Sequence, residues 1–155
     1  MKRQIAKGLA MLMVTLALAA ASAAVTNGQG KARIAAQVPF EFVVADQTLR
    51  AGEYQVAGAG QQGDLIAIGN RGGDSVLRNC SPRERTGRLD AKLVFHKYGS
   101  TYFLSQVWMA GESTGREISK SKQERAMERE LKKIAAYHGE TKPVYEVVEV
   151  IAMAR

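Results

Sequence analysis

The sequence predicts a mainly β domain, a small antiparallel β-sandwich or open barrel, with one amphipathic α-helix toward its C-terminal end. Three observations carry this. Short apolar runs that alternate with polar residues, separated by Gly-rich turns, fill the chain from about Arg33 to Gly115. The segment 119–138 contains no Gly or Pro and switches to helical spacing. A β-branched run from Pro143 to Met153 then reads as a last strand.

The first residues belong to a different kind of segment. Lys2, Arg3 and Lys7 form a basic head, Gly8 to Leu18 an apolar run, and Ala19 to Ala24 a small-residue stretch. That order is the order of a secretory signal. Ala21-Ser22-Ala23 supplies the small side chains needed just before a cut, so cleavage is expected after Ala23, with Ala24 as the second choice. Residues 1–23 are read as a signal peptide, 24–32 as a flexible lead-in, and 33–155 as one β-rich domain. An uncleaved anchor is the alternative, because Gly8 to Val25 is uncharged and approaches the length of a membrane span. Its second half is mostly alanine, which is only weakly apolar. The only cysteine, Cys80, is far from the cut, which argues against a lipoprotein. The expectation is a soluble protein of the periplasm or extracellular space, with no stable membrane span after cleavage.

Cutting 23 of 155 residues leaves 132, enough for one domain with a modest core. The cut removes three of the 22 cations and no acid, so 19 basic residues face 15 acidic ones and the net charge falls from +7 to +4. Such mild basicity serves solubility and gives no argument for nucleic acid. A single cysteine cannot close an intramolecular disulfide, so the core alone must hold the domain together. Either Cys80 is buried and inert, or it is exposed and able to pair between chains.

Element by element, Arg33 to Val44 alternates Val38, Phe40 and Phe42 with polar or turn residues, but Pro39 confines it to an edge strand or a bulge. Asp46-Gln47 punctuates it. Gly52 then permits a tight turn into a strand that carries Tyr54 and Val56. Leu65–Ile68 and Ser75–Asn79 flank the turn cluster 69–74 and predict a hairpin, followed by a polar loop over 81–88. The clearest hairpin is 91–109, closed by Gly99-Ser100 as a two-residue turn with glycine first. That turn pairs Tyr98 with Thr101, His96 with Phe103, Phe95 with Leu104 and Leu93 with Gln106. One face would carry Leu93, Phe95, Leu104 and Trp108, the other Val94, His96, Tyr98, Phe103 and Val107. In the helix, Met127, Leu131, Ile134 and Ala135 share a stripe, Ser121 with Glu124 forms a capping box, and Gly139 is the stop.

Little of this looks catalytic. Gly58-Ala59-Gly60-Gln61-Gln62-Gly63 matches a dinucleotide-binding string, but that chemistry needs a helix to follow, and Asp64–Gly69 is short and β-like. It reads as a hairpin loop, and no cofactor is expected. His96, His138 and Cys80 are too scattered to predict a metal site. No Gly-x-Ser-x-Gly is present, and Cys80 has no neighbouring histidine. The basic stretch Arg78, Arg83, Arg85, Arg88 and Lys92 is the one candidate binding set, since clustered guanidinium groups hold phosphate or carboxylate bidentately. Its ligand would be an anionic envelope component. The competing reading is a solvated loop, partly neutralised by Glu84 and Asp90.

The runs Val38-Pro39-Phe40 and Phe42-Val43-Val44, Leu49 with Ala51-Gly52-Glu53-Tyr54, and 91–99 (AKLVFHKYG) form one pattern. Tyr102-Phe103-Leu104-Ser105, Trp108 and Thr114-Gly115-Arg116-Glu117 complete it. On these residues the chain resembles a group of small uncharacterised exported bacterial proteins over roughly residues 38–130. Arg50 stands where that group commonly has proline, and the resemblance implies no activity, substrate or catalytic residue. The function expected is a non-enzymatic binding module or envelope-associated structural module that meets an anionic component or a protein partner. The alternative is a small secreted hydrolase using carboxylates.

Overall fold

The computed structural model describes residues 32–60, 63–139 and 143–155. The expected signal peptide and nearly all of the lead-in lie outside the described residues. The described chain forms β1 (Arg33–Val38), β2 (Phe42–Val44), β3 (Gln47–Leu49), β4 (Gly52–Ala59), β5 (Leu65–Asn70) and β6 (Ser75–Glu84). It continues with β7 (Lys92–Tyr98), β8 (Thr101–Trp108), β9 (Thr114–Ile118), α1 (Lys122–Tyr137) and β10 (Glu146–Ala154).

Eight of these strands close a ring in the order β8-β7-β10-β1-β4-β5-β6-β9, and β9 returns to β8 through Gln106↔Glu117 and Val107↔Arg116. Every neighbour in the ring is antiparallel. The mainly β domain with one C-terminal helix is therefore a closed barrel. Closure depends on β10, which arrives after the helix and fits between β1 and β7. The interior is filled from all sides by Ile34, Val38, Tyr54, Val56, Ile66, Ile68, Leu93, Phe95, Leu104 and Val107, all fully or nearly fully buried. An eight-stranded barrel is about narrow enough to be packed solid by its own side chains. The buried Tyr54 keeps its hydroxyl satisfied by donating to the Arg50 carbonyl at 2.8 Å, which ties the turn before β4 to the strand.

Pro39 does not mark an edge strand, as expected. It ends β1, an interior strand, and Phe42–Val44 starts again as a separate strand against β8. β2 runs parallel to β8, and a two-residue turn with Ala45 and Asp46 at positive φ folds it onto β3. Phe42, Val44 and Leu49 join the barrel core, with Phe42 edge-on to both Tyr54 and Phe95.

The expected loop 81–88 is half strand. β6 continues to Glu84 because β9 offers it a partner from Cys80↔Ile118 to Glu84↔Thr114. The hairpin of β7 and β8 has the expected register near its turn, with Gly99 at φ 61°, as far as Phe95↔Leu104. Beyond that a bulge intervenes, Ser105 is left over, and Leu93 pairs with Val107 instead of Gln106. The bulge exchanges two side chains, so that Val107 points inward and Trp108 outward.

Helix α1 begins at Lys122, three residues later than the start of the expected segment 119–138. Ser121 is the N-cap, and its Oγ accepts from the Glu124 amide at 3.1 Å. Asp46, from the β2–β3 turn, adds a second cap by accepting from the Gln123 amide at 3.3 Å. Hydrogen bonds from Ser121 and then from Gln123 hold the Asp46 carboxyl below its ordinary pKa. Met127 and Leu131 pack on a small second core of Val43, Tyr98 and Phe103, on the outside of the barrel wall.

Candidate functional site

The cross-strand register decides where the basic candidates go. Ile151 pairs with Lys92, Lys92 with Trp108, and Gly115 with Arg83, while Gly115 lies against the Trp108 ring. Ile151, Lys92, Trp108, Gly115 and Arg83 thus form one outward row across five strands. Arg85 stands over Trp108, its guanidinium 4.6 Å from the ring centre, and donates to the Met109 and Glu112 carbonyls. Three of the five expected residues, Arg83, Arg85 and Lys92, therefore gather around one tryptophan. Two of them already hold acids: Arg83 binds Glu117 at 2.9 Å and Lys92 binds Glu149 at 2.7 Å. Arg88 pairs with Asp90 at 3.1 Å in the exposed loop. Glu84, the other expected neutraliser, accepts instead from Thr114.

Arg78 is separated from the others. It lies opposite Ile66 and two residues from Val76, on the inward side of β6, and its buried Nε has no hydrogen-bond partner. Cys80, on the same side, is half-buried and its thiol lies 3.5 Å from the Gly63 carbonyl. Burial is the largest effect on that thiol and pushes its pKa up, against the pull of Arg116. The string 58–63 joins β4 to β5, two antiparallel neighbours, with no helix after it. Among the described residues no group of three or more His, Cys, Asp or Glu is placed to hold a metal ion. No described helix is long and apolar enough to cross a membrane.

The sequence pattern gave no sign of the cluster under the helix. Glu124, only 4% exposed, receives the Tyr98 hydroxyl at 3.2 Å and lies 3.2 Å from His96 Nδ1. Tyr145 stacks on the imidazole at 4.1 Å between ring centres, and Lys120 reaches over Tyr145 while binding Glu128. Burial, then the neighbouring Glu124 carboxylate, raises the Tyr98 pKa. A capping box would turn Glu124 back onto its own helix. Instead the carboxylate anchors α1 to β7, because His96 and Tyr98 are the outward residues there. The signal available in sequence was only that His96 and Tyr98 alternate on the face opposite Phe95.

Beyond this anchor the helix stands off the wall and leaves a groove of about 310 Å³. Leu131, Ile134 and Ala135 form its helical side, and Val144 and Tyr145 its other side. Its rim is polar, with His138 and the Lys97–Glu146 pair at 3.0 Å. Ile134, on the same helical stripe as Met127 and Leu131, is 54% exposed here. Next to the groove Val147 is also exposed. In comparisons with known proteins, no family model, no curated protein and no solved structure matches the chain.

Proposed function

We propose that this protein is an exported, non-enzymatic binding module that works through its outer surface and takes an apolar segment of an envelope protein into the groove between α1 and β10. The observation that carries the reading is the pairing of a filled barrel with an open, apolar-walled groove beside it. Recognition grooves of this kind combine apolar walls with a few polar groups at the rim. Export rests on the order of charges and apolar residues in 1–23. The hydrolase reading requires two carboxylates flanking an accessible bond, whereas Glu124, the one deeply buried acid among the described residues, is taken up by His96 and Tyr98. The basic row around Trp108 is the weaker candidate surface, because Arg83 and Lys92 are already paired.

A photo-crosslinking residue placed at Ile134 in the native host tests this. The reading expects one discrete envelope adduct from Ile134 and none from Arg129, which lies on the far face of α1 by helical geometry. Equal labelling from both positions, or none from Ile134, overturns it.

A further inference from the structure

Residues 39–41 carry the chain from β1, beside β10, to β2, beside β8. This step borders a cleft of about 360 Å³ at the barrel end where the β7–β8 turn lies, a volume within the range of small-molecule sites. Five segments supply its polar lining. Glu41 comes from the step itself, Thr48 from β3, Ser100 from the β7–β8 turn, Thr101 from β8 and Gln123 from α1. The side chains of these five residues make no hydrogen bond or ion pair among the described residues. Phe40 and Tyr102, stacked at 3.8 Å between ring centres, give the cleft an apolar wall. Phe40 also meets Phe95 edge-on, which ties the stacked pair to the barrel core. The cleft is distinct from the groove beside α1: across the β7–β8 turn, Gly99 borders the groove and Ser100 the cleft.

We propose that this cleft is a second binding site, for a neutral sugar, either free or as one unit of a glycan. Among the described residues no lysine or arginine lines it and Glu41 is its one charged side chain, so an anionic ligand would meet repulsion without a partner. A carboxylate only accepts hydrogen bonds, which suits Glu41 to a ligand rich in hydroxyl donors. The hydroxyls of Thr48, Ser100 and Thr101 and the amide of Gln123 both donate and accept. A sugar hydroxyl does the same, so each of these groups finds a match on one ligand. A sugar ring also has an apolar C–H face, for which the Phe40–Tyr102 pair supplies the wall. An apolar peptide would cover Glu41 and Gln123 and leave them without partners, at a cost in affinity. A hard cation needs about six oxygen ligands, and the cleft offers one carboxylate.

The test is a titration of the exported chain followed by its amide NMR signals. The probes are glucose, galactose, mannose, N-acetylglucosamine, maltotriose and chitotriose, each taken into the millimolar range. At least one should shift the amides of Thr48, Ser100 and Thr101 to saturation and leave those of Ile134 and Ala135 in place. Tighter binding of the trisaccharide than of its own monosaccharide marks a glycan as the ligand; equal binding marks a free sugar. Glu41→Gln should weaken the binding about tenfold, as the loss of hydrogen bonds to a charged group implies. Gln123→Ala should weaken it less. Both side chains are exposed, so both variants should melt at the wild-type temperature. The proposal is overturned if none of the six sugars shifts these amides, or if Glu41→Gln binds as tightly as wild type. Glycerol that shifts the same amides to the same extent also overturns it, since the cleft would then take any polyol.

Discussion

Gly115→Ala is the sharpest single perturbation of this barrel. A Cβ at this position would overlap three carbons of the six-membered ring of Trp108. The ring has little freedom to retreat, since Arg85 lies against it and its Nε1 donates to Gln106 at 3.0 Å. Overpacking of this kind costs about 1–3 kcal/mol. Gly115 sits at an ordinary φ, so replacing glycine also restricts the unfolded chain and returns about 0.4–1 kcal/mol. The net expectation is a loss of about 1–2 kcal/mol, from those two ranges. Urea unfolding followed by circular dichroism measures it, and Trp108, the chain's one tryptophan, reports the displacement through its emission. In a Trp108→Leu background the same substitution should cost much less, because the two sites are in contact. Equal stability of wild type and Gly115→Ala, with unchanged emission, would refute the placement of Trp108 over β9.

Leu131→Ala should cost about 1–2 kcal/mol, below the 2–5 of a fully buried leucine, because Leu131 is half-buried in the small outer core. Leu131→Asp should detach α1 while the barrel keeps its β signal in circular dichroism; complete unfolding would show that the helix is integral to the main core. The Asp46 carboxyl is held below its ordinary value of 3.8, so its stabilising effect is present above that pH and is lost as the pH falls through the lowered value. Asp46→Asn should accordingly lower the melting temperature at neutral pH and make no difference in strong acid. The raised thiol pKa of Cys80 predicts slower alkylation than a free cysteine at pH ~8, and labelling as fast as a model peptide would contradict the burial.

The class of fold was legible because alternation and turn residues are local. Gly99 set the β7–β8 register, Ser121 set the start of α1, and Tyr54 marked β4, each through a contact a few residues away. What failed to show depends on distant partners. Nothing near Ser105 announces a bulge, yet that one extra residue turns Val107 inward and Trp108 outward. Pro82 looked like a loop residue, and only β9, more than thirty residues on, makes its surroundings a strand. Closure of the barrel was hidden for the same reason, since β10 must cross α1 to reach β1. Of the basic set, Arg83, Arg85 and Lys92 come together around Trp108 only because β9 draws β6 on to Glu84, which the polar run 81–88 does not announce. The inward side of the same strand took Arg78 away. Glu124 read as a capping acid because a capping box is a sequence pattern, whereas His96 and Tyr98 compete for it through space.

Sealing of the barrel by β10 is decisive, because a sealed and filled interior is what assigns binding to the outer wall. Amide hydrogen exchange measures this directly. The Ala152 amide donates to the Ala91 carbonyl at 2.9 Å, and β10 is hydrogen-bonded to strands on both sides. Amides of β10 should exchange as slowly as those of β4 and β5, through global unfolding. Exchange of β10 at the rate of a free C-terminal peptide, with β4 and β5 still protected, would mean a barrel open between β1 and β7 and would contradict it.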